Sequence, residues 1–215
     1  MTPKRASLEV CRWAQELLTA HVATDQTGCL SLRAGDTMVI TPESVPLSEL
    51  TPEGLSWVCL KQGSLQKGPR PDSRFALHAA IYKKRKKTHA IIHSQSLAIM
   101  TASKAGVEVP PLLDDMAQIV GISAKVATSW SDRKVRPVLS ALKGRDAVLL
   151  KDAGALCAGS NVDDALAVAQ VLEKGCKAYI ESSFLGGGAK INRAEALFMR
   201  TVYKLKYSKQ NTTNT

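Results

Sequence analysis

Apolar residues recur at helical spacing through Leu8–His21, where Val10, Trp13, Ala14, Leu17 and Leu18 share one face. Beyond it the period shortens. Thr27–Arg33 and Thr37–Thr41 read as two strands joined by the tight turn Ala34-Gly35-Asp36, and Pro42 stops the second. Leu47–Pro52 carries turn and cap residues, Ser56–Lys61 reads as a strand, and Gln62-Gly63 turns the chain out of it. The proline-rich Lys67–Ser73 leads into a helix over Arg74–Lys84, with Ser73 as its N-cap. His89–His93 is a short buried strand and Ser96–Lys104 a helix. Val107–Leu113 is a loop containing Pro110-Pro111, and Met116–Ser123 leads to a strand at Lys125–Thr128. Asp132–Leu142 reads as a helix despite Pro137. Ala147–Lys151 is a continuously apolar strand that Ala155–Ala158 resumes after Gly154. Asn161 caps a long helix running to Ile180, Gly186-Gly187-Gly188 is a flexible hinge, and Asn192–Tyr207 is the last helix. The pattern predicts one α/β domain over residues 1–207 and a polar, frayed tail over 208–215.

Bulk composition narrows the class. With 215 residues, 45% hydrophobic and 22% charged, the chain has enough apolar material for one sizeable core. No apolar run approaches the ~20 residues that cross a bilayer. Glu9, Arg12, Gln15 and Glu16 make the first helix amphipathic instead of signal-like, so the expectation is a cytoplasmic chain with no membrane partner. Cys11, Cys29, Cys59, Cys157 and Cys176 are odd in number and form no C-x-x-C pair, which reads as free thiols. The net charge of +10 suits phosphate esters, nucleic acid or an acidic partner. Its densest part, Lys83–Lys87, has no aromatic or glycine interleaving and sits where a helix should end. A solvated helix end is therefore preferred to a nucleic-acid surface.

Seven short motifs follow one another: Thr27-Gly28-x-x-Ser31, Ile40-Thr41-Pro42, Pro71-x-Ser73, His78-x-x-Ile81-Tyr82, Ala90-Ile-Ile-His93-Ser94, Leu149-Leu150-Lys151-x-x-Gly154, and Ala165 with Glu173 eight residues on. In this order and spacing, from about Leu8 to Tyr179, they resemble the class II aldolase/adducin family. The resemblance implies a three-layer fold, a mixed central sheet flanked by helices. It also implies a homo-oligomer, a homotetrameric ring with active sites between subunits, and sugar-phosphate aldolase or epimerase chemistry of the L-fuculose-phosphate aldolase or L-ribulose-5-phosphate 4-epimerase kind. In the family's enzymes a divalent ion, typically zinc, stabilises the enediolate.

The chemical positions implied by that resemblance are altered. His93 matches the first metal ligand, but Gln95 stands at the second, and an amide oxygen is a weak zinc ligand beside imidazole. Ala153, before Gly154, stands at the third and cannot ligate. The acid/base glutamate is replaced by Arg74, which cannot give up its proton at usable pH. In the phosphate cradle the family's Gly-Asn becomes Gly28-Cys29, its Thr-Pro-x-Gly becomes Thr41-Pro42-Glu43-Ser44, and its paired serines become Asp72-Ser73. Glu43 and Asp72 would repel a phosphate dianion. Asp114 and Asp115 lie where the family often carries a proton donor, so acid/base capacity survives there if anywhere.

These residues also have plain readings. His78 suits a helix histidine bonded to a neighbour, and His93 a satisfied core histidine. His21 and His89 fit element ends. A rebuilt site from His93, Asp152 and Cys157 has no spacing argument to make it converge. Arg74 fits as a cation filling the space of the lost metal, neutralised by Asp72 or Asp152. Tyr203 and Tyr207, four apart on one helix face, read as packing residues. The sequence therefore predicts an aldolase-like protein without the zinc-dependent reaction, with no cofactor unless a divalent site has been rebuilt, acting as scaffold or regulatory subunit. The alternative is a divergent lyase or epimerase on a small carbonyl substrate using Asp114 or Asp115.

Overall fold

The computed structural model describes residues 3–131 and 134–213, the side chains of 3 and 207–213 excepted. Eight strands form one sheet: β1 (Cys29–Ala34), β2 (Thr37–Ile40), β3 (Ser56–Cys59), β4 (Ser64–Lys67), β5 (Ala90–Ser94), β6 (Val126–Ala127), β7 (Ala147–Leu150) and β8 (Gly154–Gly159). Their order across the sheet is β4-β3-β2-β1-β5-β8-β7-β6. Every pairing is antiparallel except β6 with β7.

The α-helices among the described residues are α1 (Pro3–Thr19), α2 (Phe75–Lys84), α3 (Leu97–Ala105), α4 (Arg136–Ala141), α5 (Val162–Phe184) and α6 (Arg193–Thr213). Successive strand residues point to opposite faces, and the core divides accordingly. Leu30, Leu32, Ile92, Leu149 and Cys157 pack with α1, α3 and α5 on one side. Ile40, Ile91, Val148 and Leu156 pack with α2 and α4 on the other. The result is three layers, helix–sheet–helix. Asn161 caps α5 as expected, its side chain accepting from Asp164 N at 2.7 Å.

Several boundaries depart from the pattern reading. Ala155–Ala158 does not resume the preceding strand; β7 and β8 are the two arms of a hairpin, with Leu150 opposite Gly154. Ser64–Lys67 is a strand although all four residues are exposed, because it pairs as a sheet edge with β3. α4 starts at Arg136, with Pro137 at its first turn, where a missing N–H costs nothing; Asp132 and Arg133 lie outside the described residues. Ser73 is not the cap of α2. Asp72 Oδ1 accepts from Arg74 N at 2.9 Å instead. Met116–Val120 is a single π-helical turn. α1 begins at Pro3, and the α6 backbone is helical through Thr213 instead of fraying from Ser208. Gly186 and Gly187 take left-handed backbone between α5 and α6.

Candidate functional site around Arg74 and His93

β5 places His93 on the same sheet face as Ile91, beneath the start of α2. Arg74, the residue before α2, reaches down to it. Arg74 Nε donates to Asp72 Oδ1 at 2.6 Å and Nη2 to Asp72 Oδ2 at 2.5 Å, a two-pronged ion pair whose side chains are each 12% exposed. Nη2 also donates to the Thr27 carbonyl at 3.0 Å. Nη1 donates to His93 Nδ1, and His93 Nε2 is hydrogen-bonded to the Ala153 carbonyl.

Those two contacts fix the imidazole chemistry. A guanidinium only donates and a carbonyl only accepts, so Nδ1 offers its lone pair to Arg74 and Nε2 carries the hydrogen. Neither nitrogen has a lone pair left for a metal. Burial, and then Arg74, lower the His93 pKa to about 3, so the ring is neutral.

The remaining positions stand around this contact. Gln95 Oε1 accepts from the Thr27 hydroxyl, and its side chain lies against Gly154, where an added Cβ would come 3.0 Å from Gln95 Cγ. Residues 74, 93, 95 and 153 therefore converge, as the resemblance implies, but the chemistry they bring is a cation, a spent imidazole, an amide and a methyl group. This donor set does not fit a zinc site. Among the described residues no group of three or more His, Cys, Asp or Glu side chains is arranged to hold a metal ion.

Beside it, Cys29 is fully buried against Thr41 and Asp72, and burial pushes its thiol pKa up to about 12. Gly28 is held where a Cβ would fall 2.4 Å from Leu47 Cδ1. Ser44 is exposed and keeps a left-handed backbone, φ 62°, which glycine adopts at no cost. The expected repulsion from bare carboxylates needs correction: Asp72 is paired with Arg74, and Glu43 with Arg70 at 2.9 Å. Ser73 is exposed.

His78 is fully buried and bonds Ser31 Oγ through Nδ1 at 2.8 Å, beside the Tyr82 hydroxyl, which donates to the Ser31 carbonyl. Its Nε2 has no hydrogen-bond partner among the described residues. Burial lowers its pKa to about 3. His21 and His89 are exposed at element ends.

Other expected members are not brought here. Asp152 is exposed in the β7–β8 turn, paired with Lys151 at 3.4 Å, so the partner of Arg74 is Asp72 alone of the two. Cys157 shares the register position of Ile92 and faces the opposite layer from His93. Asp115 is bonded to Lys174 of α5 at 2.8 Å, next to Met116 in that same opposite layer, and Asp114 is exposed. Neither aspartate meets Arg74 or His93 within the chain. The Tyr207 side chain lies outside the described ones, and Tyr203 is partly buried on α6.

Two features escaped sequence reasoning. Arg70 neutralises Glu43, and Glu173 is a structural cap: its carboxylate accepts from Ala98 N at 2.9 Å, Ile99 N at 2.8 Å and Ser96 Oγ at 2.6 Å at the α3 N-terminus. The motif position of Glu173 was visible, but its partner lies more than seventy residues away.

Comparison with known proteins agrees with the fold. The family model for the class II aldolase and adducin N-terminal domain matches residues 8–180. L-fuculose phosphate aldolase of Escherichia coli K12 is 28% identical over 156 residues, covering 71% of this chain and 72% of that protein. 3-Oxo-tetronate 4-phosphate decarboxylase of Cupriavidus necator is 29% identical over 109 residues, 51% of this chain and 50% of that one. Among solved structures, an L-fuculose 1-phosphate aldolase superposes with a TM-score of 0.86 at 23% identity, over 93% of this chain and 96% of the other. The enzyme of that name from Glaciozyma antarctica PI12 gives 0.73 at 20% identity, over 92% and 81%. The chain belongs to the class II aldolase and adducin family.

Proposed function

We propose that this chain is a metal-independent member of its family, a scaffold or regulatory subunit in which zinc-dependent sugar-phosphate cleavage has been given up. One observation carries the reading: a guanidinium occupies the acid/base position and takes the Nδ1 lone pair of His93, the only imidazole at the family's ligand positions. Gln95 and Ala153 support it, since neither supplies the imidazole needed to complete a tetrahedral zinc site. The relatives are named as aldolases and a decarboxylase, so any surviving catalysis would be of the lyase type.

We further propose a homo-oligomer, a tetramer by family resemblance. Phe184, Leu185 and Phe198 are exposed apolar side chains that such an assembly would cover. The test is metal content by elemental analysis after growth with zinc, manganese, iron and cobalt, with L-fuculose, L-rhamnulose and L-ribulose phosphates assayed in parallel. The same measurements follow on Arg74→Glu/Gln95→His/Ala153→His. Metal-free parent protein without turnover, and near-stoichiometric zinc in the triple variant, are expected. Stoichiometric metal in the parent, or turnover of any of the three substrates, refutes the reading.

A further inference from the structure

A cleft at the opposite end of β5 has no part in the site around His93. Its volume is 780 Å³, inside the ~300–1,000 Å³ range of small-molecule sites. It opens between the loop after α2, the start of α5, and α6. Gly159 lies in its wall and pairs with Ala90, so the cleft stands roughly 10 Å along the strand from His93.

Its floor is electrostatically unbalanced. Asp146 is 6% exposed and receives three cations: Arg85 at 2.5 Å, Arg200 at 2.8 Å and Lys204 at 2.7 Å. Burial opposes ionisation of this carboxyl, but Arg200, Lys204 and Arg85 together outweigh it and hold the group below the ordinary range. Lys86 and Lys87 add two exposed ammonium groups at the rim. The other lining carboxylate, Asp164, is bonded to Ser160. Positive charge therefore exceeds negative in a partly enclosed space, where like charges repel more strongly than in open water. An anion entering the cleft relieves that repulsion.

The remaining wall is apolar. Ile119, Val168 and Leu197 line it together with the Tyr203 ring. A ligand that uses both parts has a multiply charged end and a flat, weakly polar body. The partly enclosed shape argues for a small molecule over a long polymer, and the cationic rim of Lys86 and Lys87 disfavours the equally cationic rim of a second copy at this cleft.

We propose that this cleft is a binding site for a nucleoside polyphosphate, its phosphates held by Lys86, Lys87 and Lys204 and its base against Ile119, Leu197 and Tyr203. The site is independent of the metal-free reading above, and its test uses no activity.

Isothermal titration of the full chain with ATP, with inorganic tripolyphosphate and with a single-stranded oligonucleotide tests the proposal. Lys86→Glu/Lys87→Glu is the companion variant, because both side chains are exposed and their replacement leaves the core intact. The expected result is saturable binding of one ATP per chain, weakened by about tenfold or more in the variant, as reversing two charges near the phosphates requires. Tripolyphosphate should bind several-fold more weakly than ATP. Absence of saturable ATP binding, ATP affinity unchanged in the variant, tripolyphosphate binding as tightly as ATP, or tighter binding of the oligonucleotide each overturns it.

Discussion

Replacing Arg74 by methionine keeps much of the aliphatic volume of the side chain and removes its charge. Asp72 then loses both side-chain bonds from the guanidinium, at 2.6 and 2.5 Å, and retains the Arg74 backbone N–H at 2.9 Å. Breaking a buried ion pair by deleting one partner costs about 3–5 kcal/mol, because a desolvated charge is left behind. The surviving backbone bond and the 12% exposure of Asp72 favour the lower end, about 3 kcal/mol. For a chain of this size that corresponds to a melting temperature lower by roughly 6–12 °C. The deficit should be largest at neutral pH and shrink as pH falls below about 5, because the orphaned carboxyl can then take up a proton. Asp72→Asn/Arg74→Met should recover part of the loss, with a coupling energy of about 1.5 kcal/mol or more in the double-mutant cycle. Urea unfolding and thermal melting followed by circular dichroism at neutral pH and at about pH 4, inside the range where carboxylates take up protons, measure all of this. An Arg74→Met protein within about 0.5 kcal/mol of the parent at pH 7.5, the scatter of an ordinary surface change, would show that Arg74 is not structural filler.

Acid sensitivity should be set by two histidines. His78 and His93 have pKa values lowered to about 3, first by burial, against about 6.5 in an unfolded chain. Between those values the unfolded chain binds protons that the folded chain refuses, so their contribution is complete above pH 6.5 and lost as pH falls, by up to about 1.4 kcal/mol per histidine per pH unit. Asp72 and Asp146, held low, add losses only near and below their ordinary range. The urea midpoint should therefore drop between pH 7 and pH 5, and a flat midpoint there would contradict the burial of both rings. Gly154→Ala should cost more than about 2 kcal/mol in thermal unfolding, a backbone effect of the severe kind: φ is +85° and the new Cβ would lie 2.3 Å from the Ser94 carbonyl oxygen. Unchanged stability would mean that the β7–β8 turn adopts another backbone.

Where burial on both faces made a strand uniformly apolar, as in β7, the sequence was readable because the run had turn residues on either side. The same uniformity hid the hairpin between β7 and β8, since Leu149-Leu150 and Ala155-Leu156 look alike whether the chain continues or reverses. β4 escaped because an exposed edge strand shows no alternation to detect. Pro137 was legible as a helix residue but not as a helix start. The meeting of positions 74, 93, 95 and 153 was legible only through the family resemblance that the motif order carries. Which acid neutralises Arg74 was not, because Asp72 and Asp152 are equally reasonable on paper and only the hairpin carries Asp152 away. Likewise Arg85 read as one solvated cation in a basic run, whereas it reaches Asp146 across sixty-one residues of sequence.

The contact between Arg74 and His93 couples the changes that a zinc site here would need. Gln95→His alone would set a second imidazole beside a guanidinium that already holds the first, and Arg74→Glu alone would leave two carboxylates facing each other next to Asp72's former partner site, with Ala153 still unable to ligate. No single substitution supplies a zinc-binding set. A zinc site on this scaffold is therefore an all-or-none redesign, in which positions 74, 95 and 153 change as a set.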